Sequence, residues 1–197
     1  MQEANEDIVF PASVRAAQKR KGSFDMYEHH HFRQDIDTYL TNFLATVRSF
    51  YLATVSEDGQ PYIQHRGGPP GFLRVVDKTR LAFVDFVGNR QFITTGNLTA
   101  NPRAFIFLMD YANRRRIKIW GNAKVEKDDH TMVEPLSSEG YRGRAEQIII
   151  FDVKAWDINC PQHIPQMFFA EDVAHALAER DETIAKLRSE LEALRGK

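Results

Sequence analysis

Between Ser49 and Val153 the chain alternates short apolar runs with turn residues, and that rhythm limits what it can become. Phe50-Tyr51-Leu52-Ala53-Thr54-Val55 is aromatic and β-branched, the composition strands favour. Glu57-Asp58-Gly59-Gln60 reads as a hairpin turn, and Tyr62 to Arg66 returns antiparallel. Gly67-Gly68-Pro69-Pro70-Gly71 breaks the strand. Phe72 to Val76 and Arg80 to Phe86 form a second pair across Asp77-Lys78-Thr79. Gly88-Asn89 is a turn, Gln91 to Leu98 a short helix, and Asn101-Pro102 its stop. Arg103 to Met109 is a strand, as is Arg116 to Val125, where Ile117 and Ile119 point inward against Arg116 and Lys118. Ile148 to Val153 adds one more. Six or seven short strands at this spacing predict a mainly β fold, an antiparallel barrel with helical additions.

The flanks are different. Met1 to about Arg33 is polar and carries His29-His30-His31. A helix is predicted over Gln34 to Val47, with Ile36, Leu40, Phe43, Leu44 and Val47 on one face. A second, long helix is predicted over Phe169 to Lys197, which divides the chain into a barrel domain, 1–168, and a C-terminal helix, 169–197. In that helix Leu177, Ile184 and Leu191 repeat every seven residues, Leu187 and Leu194 fill the other seam position, and Arg180 interrupts the second row. Such a helix either lies on the barrel or pairs with a copy of itself.

Composition excludes some functions. Net charge is −1, and Arg114-Arg115-Arg116 is too short a basic run to suggest nucleic acid. A single cysteine, Cys160, rules out an internal disulfide and suits a reducing, cytoplasmic setting. Met1 to Asp7 lacks the order of a signal peptide, and no apolar run has the length of a membrane span, so no membrane partner is expected. The three histidines are either metal or proton groups or a solvated cluster before the helix. Cys160 and His163 fall short of a metal set, and no metal is expected.

The segment Asp85-Phe86-Val87-Gly88-Asn89-Arg90-Gln91 carries the chemistry. A strand, a tight turn and a helix start offer free backbone N–H groups to an anion. Gly88 permits close approach, Asn89 and Gln91 carry side-chain amides, Arg90 supplies a planar fork for phosphate oxygens, and Thr94 and Thr95 add hydroxyls. On spacing alone a plain turn with a solvated arginine is the favoured reading.

The wider order of motifs bears on that choice: Gly59-Gln60-Pro61 before a strand ending at Arg66-Gly67-Gly68, then Asp85 to Gln91, Asn97-Leu98, Asn101-Pro102-Arg103, and Arg116-Ile117-Lys118-Ile119-Trp120-Gly121. This order resembles the pyridoxamine 5′-phosphate oxidase-like family of FMN-binding split barrels, over about Phe50 to Val125. The late motif from Trp156 to Ile164 and the run Arg66 to Phe72 resemble its predicted flavin-nucleotide-binding subgroup. The resemblance implies a split β-barrel homodimer with FMN at each interface. Gln64, His65, Arg66, Gly67 and Gly68 would lie along the flavin ring, and Asn89, Arg90 and Gln91 would hold the phosphate, with Phe86 and Thr95 beside them. The partner's share would come from Arg116 to Trp120, Trp120 among them, and from the late segment Trp156 to His163, with Asn159, Cys160 and His163. The tyrosine, arginine and serine pattern by which the true oxidase holds pyridoxal phosphate has no match, although Ser137, Ser138, Tyr141 and Arg142 supply the residue types. The implied function is an FMN-dependent oxidoreductase acting on a small molecule, with no catalytic residue singled out. A flavin carrier or sensor, or a split barrel holding haem or a deazaflavin, remains the alternative.

Overall fold

The computed structural model describes residues 8–126, 143–158 and 161–195; Ser137, Ser138, Tyr141, Arg142, Asn159 and Cys160 lie outside them. Seven strands form one antiparallel sheet that does not close: β1 (Ser49–Val55), β2 (Pro61–Gly67), β3 (Arg74–Val75), β4 (Arg80–Phe86), β5 (Arg103–Asp110), β6 (Arg115–Glu126) and β7 (Ala145–Ile158). Their spatial order is β2-β1-β5-β6-β7-β4-β3. The chain divides into two compact units, Met1–Asp110 with Arg116–Cys160, and Tyr111–Arg115 with Pro161–Lys197.

Alternation sets the face of each residue in the first unit. β1 pairs with β2 so that Phe50 faces Arg66 and Leu52 faces Gln64. Phe50 and Leu52 are buried, while Tyr51 and its partner His65 are exposed on the opposite face. β4 and β7 pair through Leu81–Phe151 and Phe83–Ile149, and both strands are buried on two faces. Phe50, Leu52, Phe83, Ile106, Ile117, Ile119, Phe151 and Trp156 form the main core, and Ala82, Val84, Ile148 and Ile150 a second cluster. Each fully buried side chain of this size contributes about 1.5–3 kcal/mol.

Helices differ from the sequence expectation at their starts. The helix expected from Gln34 is α3 (Thr38–Thr46), after α1 (Ala12–Lys21) and α2 (Phe24–Tyr27) in the region that reads as merely polar. Asp37 is the reason: its carboxylate accepts from the Leu40 N–H at 2.9 Å and caps the helix there. Residues before it run extended, with Arg33 bridged to Trp156 and the Ile36 N–H donating to Lys78. Leu40, Phe43 and Leu44 enter the core as the periodicity predicts. The strand expected over Phe72 to Val76 shrinks to Arg74–Val75, because Gly71, at φ 74°, turns the chain and donates to Val47. Phe72 and Leu73 are buried from that loop. β7 is longer than Ile148 to Val153 at both ends.

His30 is half-buried among rings, with Phe32 at 4.6 Å, Tyr27 at 5.8 Å and Phe10 at 6.5 Å. No group of three metal-ligating side chains occurs among the described residues. In the second unit α5 (Ala170–Arg195) follows a short segment in which Gln166 donates to Ala112 at 2.8 Å. No described helix is long and apolar enough to cross a membrane.

Gly121 sits where the β6–β7 register shifts. A Cβ there would lie 2.1 Å from the Asp152 carbonyl oxygen and 2.5 Å from the Phe151 ring, so neither neighbour can yield cheaply. Gly121→Ala is expected to cost at least about 2 kcal/mol, read as a lowered urea midpoint. Gly96→Ala, with open space around its Cβ, is the control and stays near wild type.

Candidate functional site

The sheet leaves a seam between its ends. β2 is one edge and β4 is next to the other, and the two share no strand pairing. Side chains bridge them instead. Arg66 Nη1 of β2 donates to Asp85 Oδ1 of β4, and both side chains are nearly enclosed, at 13% and 10% exposure. Gln147 of β7 donates to Asp85 Oδ2 at 2.9 Å and to Thr95 Oγ at 2.8 Å. Thr94 Oγ donates to Gln64 Oε1 at 2.8 Å. Asn97 donates to Thr54 at 3.0 Å. The last three bonds tie α4 (Ile93–Ala100) across the seam to β7, β2 and β1 in turn.

A cavity of about 240 Å³ opens there, lined by Tyr62, Gln64 and Arg66 from β2, Asp85 and Phe86 from β4, Gly88 to Thr95, and Glu146. Even numbers along β2 face it because side chains alternate. Its wall is unusual backbone. Arg90 and Phe92 hold φ of 58° and 53°, a left-handed conformation costing about 1 kcal/mol or more each in non-glycine residues. Asn89 Oδ1 accepts from the Gln91 N–H at 3.2 Å and stabilises the turn. Phe92 offers α4 no side-chain cap, so the first N–H groups of the helix are left for another acceptor.

Several donors remain available. Arg90 is exposed, its guanidinium carbon is 5.9 Å from the Phe92 ring centre, and among the described residues no carboxylate pairs with it. Thr95 accepts from Gln147, which frees its own proton. Gln64 accepts from Thr94, which frees its amide. Arg66 Nε is buried with no acceptor. An anion near Arg90 therefore meets a guanidinium, helix N–H groups and a hydroxyl together.

The residues expected at a flavin site divide accordingly. Gln64, Arg66, Phe86, Asn89, Arg90, Gln91 and Thr95 are brought together. His65, Gly67, Gly68 and Trp120 do not line this cavity. His65 lies on the opposite face of β2, its ring 5.7 Å from Tyr51. Gly68 gives Phe72 room, since a Cβ there would lie 2.6 Å from that ring. Trp120 packs on Phe105 at 5.1 Å and lines a separate, mainly apolar cavity of about 680 Å³ with Ile8 and Pro11. Lys118, 5.3 Å from the Trp120 ring, is held below its ordinary pKa by burial, against the pull of Asp157. Trp156, at 0% exposure, belongs to the core: its indole donates to Asp35 at 3.0 Å. His163 is exposed in the second unit. Asn159 and Cys160 are outside the described residues. Sequence reasoning missed Tyr62, Phe92, Ile93, Glu146 and Gln147. The polar pair Glu146-Gln147 before the apolar run Ile148 to Phe151 was the available signal.

The model of the family described as pyridoxamine 5′-phosphate oxidase matches residues 36–160. No curated protein matches the chain in sequence. Among solved structures, Group A Streptococcus HupZ is similar with a TM-score of 0.51 and 18% identity, over 67% of this chain and 99% of that one. General Stress Protein 26 from Bacillus anthracis is similar with a TM-score of 0.45 and 16% identity, over 60% of this chain and 89% of that one.

Removing one partner of the seam ion pair strands a buried charge. Arg66→Met is expected to destabilise the protein by about 3 kcal/mol in urea unfolding, and Arg66→Met with Asp85→Leu by less than Arg66→Met alone. A single variant as stable as wild type would show that the pair does not close the seam.

Proposed function

The chain belongs to the pyridoxamine 5′-phosphate oxidase family, and from that premise we propose that it binds FMN in the seam cavity and serves as an oxidoreductase on a small organic molecule. The observation that carries this reading is the exposed Arg90, with no carboxylate partner among the described residues, on a left-handed turn at a helix start without a side-chain cap. Arg90, the first N–H groups of α4 and the Thr95 hydroxyl hold the phosphate; Asn89 holds the turn that presents them. The Gln64 amide and the orphan Nε of Arg66 are donors for carbonyl oxygens at the polar edge of the ring. Bound flavin supplies hydride or electron transfer, and the protein supplies orientation and electrostatics.

Two features sharpen the role of the chain. Arg66 is neutralised by Asp85, so it offers hydrogen bonds at the ring and little net charge. Among the described residues Glu146 is the wall carboxylate outside the ion pair, so a bound anion needs the Arg90 guanidinium to offset it. A cavity of about 240 Å³ is below the usual range for ligand sites, roughly 300–1,000 Å³. In this reading the phosphate lies at the Arg90 end and the ring reaches past Gln64 and Arg66 out of the cavity. A second copy of the chain covering the cavity mouth accounts for the remainder, which makes the working unit a homodimer. Among the described residues no histidine lines this cavity to serve as a haem axial ligand, and Tyr62 is the tyrosine that does line it.

The purified protein, supplied with FMN, is expected to show a flavin visible spectrum and to release FMN by mass. A protein that takes up no FMN would defeat the proposal. Arg90→Ala is expected to weaken FMN binding at least about tenfold in fluorescence titration, the loss of one charge-assisted contact. Retained affinity would displace the phosphate from this turn. Turnover with candidate reductants then separates an enzyme from a flavin carrier.

A further inference from the structure

α5 carries an apolar seam that its own unit leaves open. Val173, Leu177, Ile184, Leu187, Leu191 and Leu194 are between 38% and 70% exposed, although each is large and apolar. They alternate at spacings of four and three, with Arg180 in the one remaining seam position. That is the a and d pattern of a coiled coil: Leu177, Ile184 and Leu191 at a, and Val173, Arg180, Leu187 and Leu194 at d. A contiguous exposed stripe of this kind marks an interaction surface.

Charge decides what covers it and in which direction. In a parallel pair Arg180 meets Arg180 of the partner subunit in the seam, two like charges under partial desolvation. Asp181 and Arg188, the flanking e residues, then face Ala176 and Thr183, and only Glu190 and Arg195 are matched. In an antiparallel pair a positions meet d positions. Setting Ile184 beside Leu187 of the partner subunit places Leu177 beside Leu194 of the partner subunit. It also places Arg180 beside Leu191 of the partner subunit, so the two arginines no longer meet. The same register brings Asp181 next to Arg188 of the partner subunit, twice by symmetry. Arg180 keeps the Asp181 carboxylate within 3.1 Å on its own helix.

We propose that α5 pairs with α5 of a second copy of this chain as an antiparallel two-helix coiled coil in this register. The pairing does not depend on flavin, so it stands or falls separately from the cofactor reading.

Disulfide trapping in the full-length chain tests it. In a Cys160→Ser background, Ile184→Cys and Leu187→Cys chains of different size are co-expressed and mildly oxidised. The mixed cross-link, 184 to 187, is expected to exceed either self-cross-link several-fold, because only facing a and d positions come within disulfide reach. Asp181→Arg should lower its yield, and adding Arg188→Asp should restore it. Dominant 184-to-184 linkage would overturn the antiparallel register. Yields no higher than those of Ser189→Cys, on the polar side of the helix, would overturn pairing with a second copy.

Discussion

Arg66 and Asp85 come from strands near opposite ends of one open sheet, and their ion pair holds together what no backbone ladder joins. β2 has neighbours on one side only, and its other edge would be exposed to pairing with foreign strands if nothing covered it. The pair, Gln147 and the hydroxyls of Thr94 and Thr95 draw α4 over that gap. An apolar filling of the same gap would be as stable or more so, because buried charges pay a desolvation cost. A polar seam instead leaves a cavity whose walls include hydrogen-bond donors. The weakness in the barrel's closure is thus the origin of the site.

The turn after β4 completes it. Two departures from ordinary backbone, at Arg90 and Phe92 on either side of Gln91, set Arg90 and the start of α4 in the cavity wall. The helix that follows begins without a cap of its own. Local stability is given up at both points, and an anion bound there returns it. These donors lie within the residues that the family model matches.

The strand rhythm was legible because period-two burial and turn residues are local properties; Phe50 to Val55 and Arg103 to Met109 became β1 and β5 almost residue for residue. The break in the chain between β4 and α4 was legible for the same reason. Helix starts were not: Gln34 reads as helix by periodicity, and only the Asp37 cap moves the start. The pairing of β7 with β4, about sixty residues apart in sequence, brings Glu146 to the cavity and Gln147 to Asp85; the polar pair marks the place, but no local pattern gives the partner. Along β2 both faces carry polar residues, so sequence could not tell that Gln64 and Arg66 point into the seam while His65 points away. Of the two tryptophans, Trp156 fills the core and Trp120 lies against the rings of Phe32 and Phe105, a distinction fixed only by register.

The central claim is that this site grips a phosphate, and the direct measurement is the affinity of the protein for FMN against riboflavin, which lacks only that group. FMN is expected to bind at least about tenfold more tightly than riboflavin, the equivalent of one or two charge-assisted hydrogen bonds, and Arg90→Ala to remove most of the difference. Equal affinities for the two flavins would contradict it.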